Sequence, residues 1–170
     1  MRNFEQREIG EIKKFIITLV LIVFVFIISK FLYSVNLVSG NSMSDTVNDG
    51  GIVLTNKMIS NYERFDIVLA EVKMANSDIE QIAIKRVIGL PNDSIKIENG
   101  TVYVNGNEIE KYNFPTEDGG LFSETITLKD NEYFLVGDNR QNSYDSRFYG
   151  GITKDKIQGK VEYILYKGGN

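Results

Sequence analysis

The sequence predicts an all-β domain of curled antiparallel, barrel-like sheets preceded by one N-terminal transmembrane helix. Three observations carry that prediction. Residues 15–29, F-I-I-T-L-V-L-I-V-F-V-F-I-I-S, hold no charge and form the only long apolar run in the chain. From residue 50 onward the apolar residues fall into short β-branched runs of strand length. Two Asn-Gly pairs, at 99–100 and 105–106, separate such runs at hairpin spacing.

The helix comes first. Residues 1–14 are polar, mixed in charge, and end in Lys13 and Lys14. At ~1.5 Å per residue, the uncharged run covers roughly 22 Å, short of the ~30 Å hydrocarbon core. Extension to Tyr33 gives about 28 Å, with Lys30 snorkelling to the headgroups and Tyr33 at the interface. A buried core helix would show a polar face, which this run lacks, and a buried strand would be shorter. A cleaved signal peptide has an apolar core of similar length. No small-x-small pair follows the run at once, however; Val38 and Gly40 are the nearest. The run is therefore read as a retained anchor. Arg2, Arg7, Lys13 and Lys14 precede it, and only Lys30 lies close behind. The positive-inside rule then puts residues 1–14 in the cytoplasm, 15–33 across the lipid bilayer and 34–170 outside, as a single-pass protein of the cell membrane. The steps from Tyr33 to Ser42 span at most roughly 30 Å of extended chain, which keeps Ser42 near the membrane surface.

Strands are expected at 52–55, 66–70, 82–88, 94–97, 101–104, 107–109, 124–128, 132–136 and 161–166. A helical turn is expected near 154–157 and an exposed loop at 112–122. No internal repeat, low-complexity tract or linker divides the region, so residues 34–170 read as one domain.

Composition narrows the chemistry. Hydrophobic residues at 42% and charged residues at 25% are those of a globular chain. A net charge of −4 argues against nucleic acid as a partner, because phosphate binding needs a surplus of Lys and Arg. The sequence has no cysteine and no histidine, which excludes thiolate catalysis, disulfides, Cys- or His-ligated zinc and every Ser-His pair. No cofactor and no metal is expected. A nucleophilic serine in this chain must take its base from Lys, a carboxylate or Tyr.

Residues 37–47, L-V-S-G-N-S-M-S-D-T-V, have the composition of a turn and contain Ser42, the candidate nucleophile. Lys85 is the candidate base. Its neighbours are Ile82, Ala83, Ile84, Val87 and Ile88, and strand alternation puts Ala83 and Val87 on its own face. Burial lowers a lysine pKa, and a neutral amine can take a proton from a hydroxyl. Moving the pKa from ~10.4 to about 8 costs on the order of 3 kcal/mol, which a folded domain tolerates. A lysine that snorkels to water, or pairs with a carboxylate, fits the same neighbours. A second constellation, G-D-N-R-Q-N-S-Y-D-S-R-F-Y-G at 137–150, gathers Asp138, Arg140, Ser143, Asp145 and Arg147 between two glycines. It is either a solvated loop or one tied down to orient a site. Arg140 at a ligand position rules out a calcium loop, and neither Ser-x-x-Lys nor Gly-x-Ser-x-Gly occurs.

These three segments, in this order behind an N-terminal anchor, resemble the type I signal peptidases, in particular the short form of Gram-positive bacteria. The family's nucleophile motif, close to G-x-S-M-x-P-T-L, aligns with G-N-S-M-S-D-T-V at 40–47. Its lysine motif, Y-I-K-R-V-I-G-L-P-G-D, aligns with A-I-K-R-V-I-G-L-P-N-D at 83–93. Its late motif, G-D-N-R-x-x-S-x-D-S-R, matches residues 137–147 at every specified position. The resemblance implies that Ser42 attacks the scissile carbonyl and that Lys85 serves as general base, then as general acid. It implies that Ser143 hydrogen-bonds the Lys85 amine, and that Asp145 and Arg147 pair to hold the loop with Asp138 and Arg140 in support. The Ser42 backbone N–H becomes one oxyanion donor. Some members place a hydroxyl two residues earlier as the second; here that position is Gly40, with Ser39 adjacent. The implied substrate is the signal peptide of a preprotein, extended beside strand 82–88 and cut after small-x-small, with Met43 and Ile84 lining the pockets.

The chain departs from the motifs at Asp45 for Pro, Val47 for Leu, Ala83 for Tyr and Asn92 for Gly. Asp45 is expected to alter or narrow substrate choice with catalysis kept. Two other readings share part of the pattern. A self-cleaving Ser-Lys peptidase of the repressor type usually carries a DNA-binding domain first, where this chain has a polar segment and a span. A non-catalytic anchored assembly factor for exported proteins would not need the intact Ser42, Lys85 and Ser143 set.

Overall fold

In the computed structural model, residues Arg2–Leu32 form one helix, α1. The structure describes residues 2–73, 80–98, 101–109 and 124–169, with the side chains of α1 from residue 10 onward. Within α1 the apolar stretch of 23 residues, Gly10–Leu32, has a mean hydropathy of 2.9, and its most apolar window holds no buried residue. A helix that is apolar all round and unpartnered suits lipid, and this stretch measures ~34 Å, enough for the hydrocarbon core. Tyr33, expected at the interfacial end of the helix, is instead the first residue of β1 (Tyr33–Leu37). β1 pairs antiparallel with β2 (Ile52–Asn56). The residue after β2 closes the helix: Lys57 N–H donates to Leu32 O and Lys57 Nζ to Lys30 O, both at 2.8 Å. Carbonyls that a helix end leaves without intrahelical partners are thereby satisfied, and a cation meets the negative end of the dipole. The helix runs into the sheet with no linker between them.

Two antiparallel sheets follow. The larger also contains β3 (Ile67–Lys73), β4 (Glu80–Gly89), β9 (Glu132–Val136), β10 (Ile152–Thr153) and β11 (Ile157–Tyr166), in the order β1-β2-β11-β3-β4-β9-β10. The smaller is β7-β6-β5-β8, from β5 (Ser94–Glu98), β6 (Thr101–Val104), β7 (Asn107–Glu108) and β8 (Ile126–Thr127). Strands β2, β5, β6 and β9 fall within a residue of expectation. β4 is longer than expected, β7 and β8 are shorter, and β11 begins at 157 instead of 161. β1 and β10 were not anticipated. The helical turn expected near 154–157 is a 3-10 turn, Lys154–Lys156. Asn105 and Gly106 both take positive φ, 53° and 78°, as a type I′ hairpin turn requires. The expected turn at 99–100 and the expected loop at 112–122 lie outside the described residues.

The expected antiparallel sheets are present, but among the described residues neither closes into a barrel. Closure of the larger sheet would require its terminal strands to pair, but β1 pairs only with β2 and β10 only with β9. The physical reason lies at β4. Its last residues, Arg86 to Gly89, pair with β9 through an irregular register, whereas residues 80–85 pair with β3 alone. The sheet splits at that point, and the second edge of residues 80–85 has no strand partner among the described residues.

Alternation sorts the side chains into three apolar clusters. Val68, Ala70 and Val72 of β3 pack with Val87, Leu135, Ile152 and Ile157. Ile88, Phe134 and Val136 face the small sheet, against Ile95, Ile97, Val102 and Val104. β9 is thus buried on both faces. The third cluster, Val38, Met43, Val47, Val53, Leu69, Ile84 and Val161, lies beneath the loop that carries Ser42. On β1 and β11, by contrast, Val35, Leu37, Tyr163 and Leu165 stay exposed.

Candidate active site

The Ser42 loop is built from β1 outward. Val38 N–H donates to Gly51 O at 2.7 Å and Gly50 N–H returns to Val38 O at 3.0 Å, which closes the loop's neck. Inside it, Thr46 N–H and Val47 N–H both donate to Met43 O, at 3.1 and 2.9 Å. Met43 and Val47 are fully buried in the third cluster and pin the turn to the core. Gly40 has φ +89°, and its N–H donates to Asp49 Oδ1 at 2.7 Å. Ser42 lies half-buried between these anchors.

Lys85 comes from the part of β4 next to the sheet's split. Its cross-strand partner is Val68, and Ala83 and Val87 share its face, so its stem runs through apolar surroundings. The residue is 3% exposed, and Nζ stands 2.7 Å from Ser42 Oγ. Burial lowers the amine pKa to about 8; Asp145 opposes the shift, Arg147 adds to it, and Asp138 opposes it. When charged, the amine donates to Oγ; when neutral, it can accept the hydroxyl proton over the same distance.

The late segment, 137–150, is tied down. Asp145 is fully buried and accepts from Gly137 N–H at 3.0 Å and from Arg147 Nε and Nη2 at 2.8 and 2.9 Å. It also caps the short helix α2 (Ser146–Tyr149) through Arg147 N–H. Arg147 Nη2 further donates to Arg140 O and Ser143 O, so one ion pair stitches three turns of chain. Asp138 pairs with Arg86, whose Nε donates to Oδ1 at 2.8 Å, and it accepts from Thr46 Oγ1 at 2.5 Å. Arg140 is buried, with Nε and Nη2 lacking hydrogen-bond partners among the described residues. Ser143 Oγ is likewise buried without a partner, and its expected bond to the Lys85 amine is not formed. Gly137 makes the crowding possible: a Cβ there would lie 2.2 Å from Ser143 Oγ and 2.5 Å from Ser42 O.

A groove of about 610 Å³ runs between residues 35–42 and 81–85, with Asn142 and Tyr144 also on its wall. Ser42, Lys85 and Ile84 line it. Met43, expected there as a pocket residue, is absent from the wall because the turn draws it into the apolar cluster below, where Sδ accepts from Asp138 N–H at 3.4 Å. Three residues not singled out from sequence also hold the site: Arg86, Thr46 and Asn139. Arg86 could have been noticed as a second cation beside Lys85 in a strand with almost no polar positions. Thr46 and Asn139 gave no signal, because ordinary loop residues reveal their partners only in three dimensions.

Asp45 is exposed, outside the groove wall, and sits at φ +78° with its N–H donating to Asn48 Oδ1. A proline ring cannot reach that φ and has no N–H to offer. Asp45→Pro is expected to cost about 2 kcal/mol, whereas Asp45→Gly is expected to be neutral or stabilising. Chemical denaturation of both variants checks this; a proline variant as stable as wild type would show that the loop can take another path.

With fold and site in view, the chain combines a long apolar N-terminal helix with an antiparallel domain that sets a serine against a buried lysine. The family described as "Signal peptidase, peptidase S26" matches residues 10–166, and the chain belongs to that family of peptidases. It is 33% identical to signal peptidase IB of Staphylococcus aureus (strain COL) over 174 aligned residues, covering 92% of this chain and 90% of that protein. It is 33% identical to signal peptidase I P of Bacillus subtilis subsp. natto over 159 aligned residues, covering 85% and 83%. Among solved structures, a signal peptidase I from Enterococcus faecalis V583 aligns with 26% identity and a TM-score of 0.45, over 59% of this chain and 96% of that one.

Proposed function

We propose that this chain is a membrane-anchored serine endopeptidase that removes signal peptides from exported preproteins, with Ser42 as nucleophile and Lys85 as base. The observation that carries the proposal is the 2.7 Å separation of Lys85 Nζ and Ser42 Oγ in an open groove, with burial lowering the amine pKa to about 8. The neutral amine takes the Ser42 proton as Oγ attacks the scissile carbonyl. The resulting ammonium then protonates the leaving amine and frees the mature protein. Water, deprotonated by the same amine, releases the signal peptide as a carboxylate. The Ser42 backbone N–H, which has no acceptor among the described residues, is the donor for the developing oxyanion. Arg147 and Asp145 hold Ser143 and the late loop against the pair, and Asp138 with Arg86 and Thr46 joins that loop to β4 and to the Ser42 turn.

The substrate lies extended along the edge of residues 80–85 that has no strand partner among the described residues, and bonds it main chain to main chain. Small side chains on either side of the middle one face the narrow floor around Ile84, which gives the small-x-small preference. The anchor places enzyme and signal peptide in one bilayer and raises their effective concentration. Residues 1–14 lie in the cytoplasm and the sheet domain outside.

Detergent-solubilised protein incubated with a preprotein tests the proposal. The new N-terminus should follow a small-x-small sequence, and any other cleavage position would count against the assigned specificity. The pH profile supplies a second test. With a Lys85 pKa of about 8, the rate should climb roughly tenfold per unit below that value and level off above it. A profile that is flat through about pH 7 to 9 would exclude Lys85 as the titrating base.

A further inference from the structure

We propose that Asn139, assisted by Ser44, is a positioning residue for the oxyanion donor: it fixes the plane of the Asn41–Ser42 peptide so that Ser42 N–H faces the reacting carbonyl. The proposal deepens the Ser42–Lys85 assignment above and rests on it. Asn139 stands at the N-cap of the 3-10 turn Arg140–Asn142, where an asparagine side chain ordinarily bonds the turn's own N–H groups, yet it makes no such bond. Its Nδ2 donates instead to Asn41 O at 3.0 Å, and its backbone N–H donates to Ser42 O at 3.0 Å. One residue therefore holds the peptide before Ser42 and the peptide after it. Ser44 adds two more donors to Asn41 O, its N–H at 3.2 Å and its hydroxyl at 2.9 Å.

The consequence follows from peptide geometry. Asn41 C=O and Ser42 N–H belong to the same planar trans unit and point in opposite directions. Donors gathered on the carbonyl from the loop side leave the N–H directed away from them, and they polarise the amide so that the N–H becomes a better donor. An oxyanion donor contributes to rate only if it is aimed before the charge develops. In this chain aim matters more than usual, because Gly40 has no side chain to supply a second donor. Gly40 also sits at φ +89°, where a serine would be strained.

The test uses the full-length, detergent-solubilised chain and two probes: a peptide with an Ala-x-Ala end carrying a terminal aldehyde, and the same peptide as a carboxamide. Ser42 Oγ adds to the aldehyde carbon, its proton passes to Lys85 Nζ, and the former carbonyl oxygen takes the electron pair as an oxyanion at the donor; the carboxamide reads ground-state binding. Asn139→Ala should lower kcat about tenfold and weaken the aldehyde by the same factor, from the loss of one aiming bond. Asn139→Ala combined with Ser44→Ala should lose about a hundredfold in both. KM, carboxamide binding and the pH midpoint should stay within about twofold. Asn139→Asp keeps the shape but not the donor, so it should match Asn139→Ala and serves if the alanine variant folds poorly. Wild-type kcat in both Asn139 variants overturns the proposal. So does equal weakening of both probes, or a moved pH midpoint. Ser42→Ala separates the layers: if it still cleaves, the nucleophile assignment beneath the proposal fails; if it does not, failure of the Asn139 predictions falls on the clamp alone.

Discussion

Lys85→Met is expected to abolish preprotein cleavage, by about 10⁴-fold or more, while making the folded chain more stable. Both effects come from one fact. The Lys85 amine is buried against an apolar strand, and its folded pKa of about 8 lies below its ordinary 10.5. The unfolded chain therefore binds the proton more tightly than the folded one. Stability rises as pH climbs from about 8 to about 10.5, and the cost of keeping the amine charged is fully present below about 8. The shift corresponds to about 3 kcal/mol, and methionine, of similar length and uncharged, removes that cost at neutral pH. Ser42→Ala is expected to lose as much activity without the gain in stability, because Ser42 is half-buried and carries no desolvated charge. Cleavage assays and denaturant unfolding of the two variants at neutral pH check the pair. A Lys85→Met chain that is inactive but also unstable would mean that the amine holds the fold together, contrary to the electrostatic account.

Asp145→Asn is expected to destabilise the domain by about 3–5 kcal/mol, a fall of about 10 °C in thermal midpoint for a domain of this size. The Asp145 carboxylate is fully buried and receives four donors, two from the Arg147 side chain and two backbone N–H groups. An amide of the same shape brings no charge to balance the buried guanidinium and turns an NH₂ group towards donors. Arg147 would then hold a charge in a dry site, alongside Arg140, whose own guanidinium is already disfavoured by burial. The active site should register the change as well. Asp145 raises the Lys85 pKa, so its neutralisation should move the midpoint of the pH–rate profile to lower pH. Calorimetry and the pH profile read these two consequences independently. A stable variant with an unmoved midpoint would contradict the role assigned to the ion pair.

Most strands were legible because a half-buried sheet writes its period into the sequence: 52–56, 94–98 and 101–104 alternate, and the helix is a single uncharged run. β1 was missed because Tyr33–Leu37 looks like the tail of the apolar segment; only its ladder with β2 makes it a strand. β10 has two residues, too few to show any period. Whether the sheets close was not legible, because closure depends on which terminal strands meet, and alternation within a strand carries no information about that.

Sequence alone determined the chemistry that remained open. Without histidine or cysteine, a serine nucleophile needed a base such as lysine, and only the environment of Lys85 offered a strand apolar enough to bring an amine near neutrality. Tertiary structure decided what that pair rests on. It gave Asp138 to Arg86, drew Met43 into the core, and left Ser143 Oγ without a partner among the described residues. It also turned Asn139 from its own cap to the carbonyl beside Ser42. Those partners lie 40 to 100 positions apart along the chain, as in the separations of 43, 52 and 98 for Lys85–Ser42, Arg86–Asp138 and Asn139–Asn41. Local pattern cannot encode such pairings, because they follow from where the sheet splits and how two loops are packed across it.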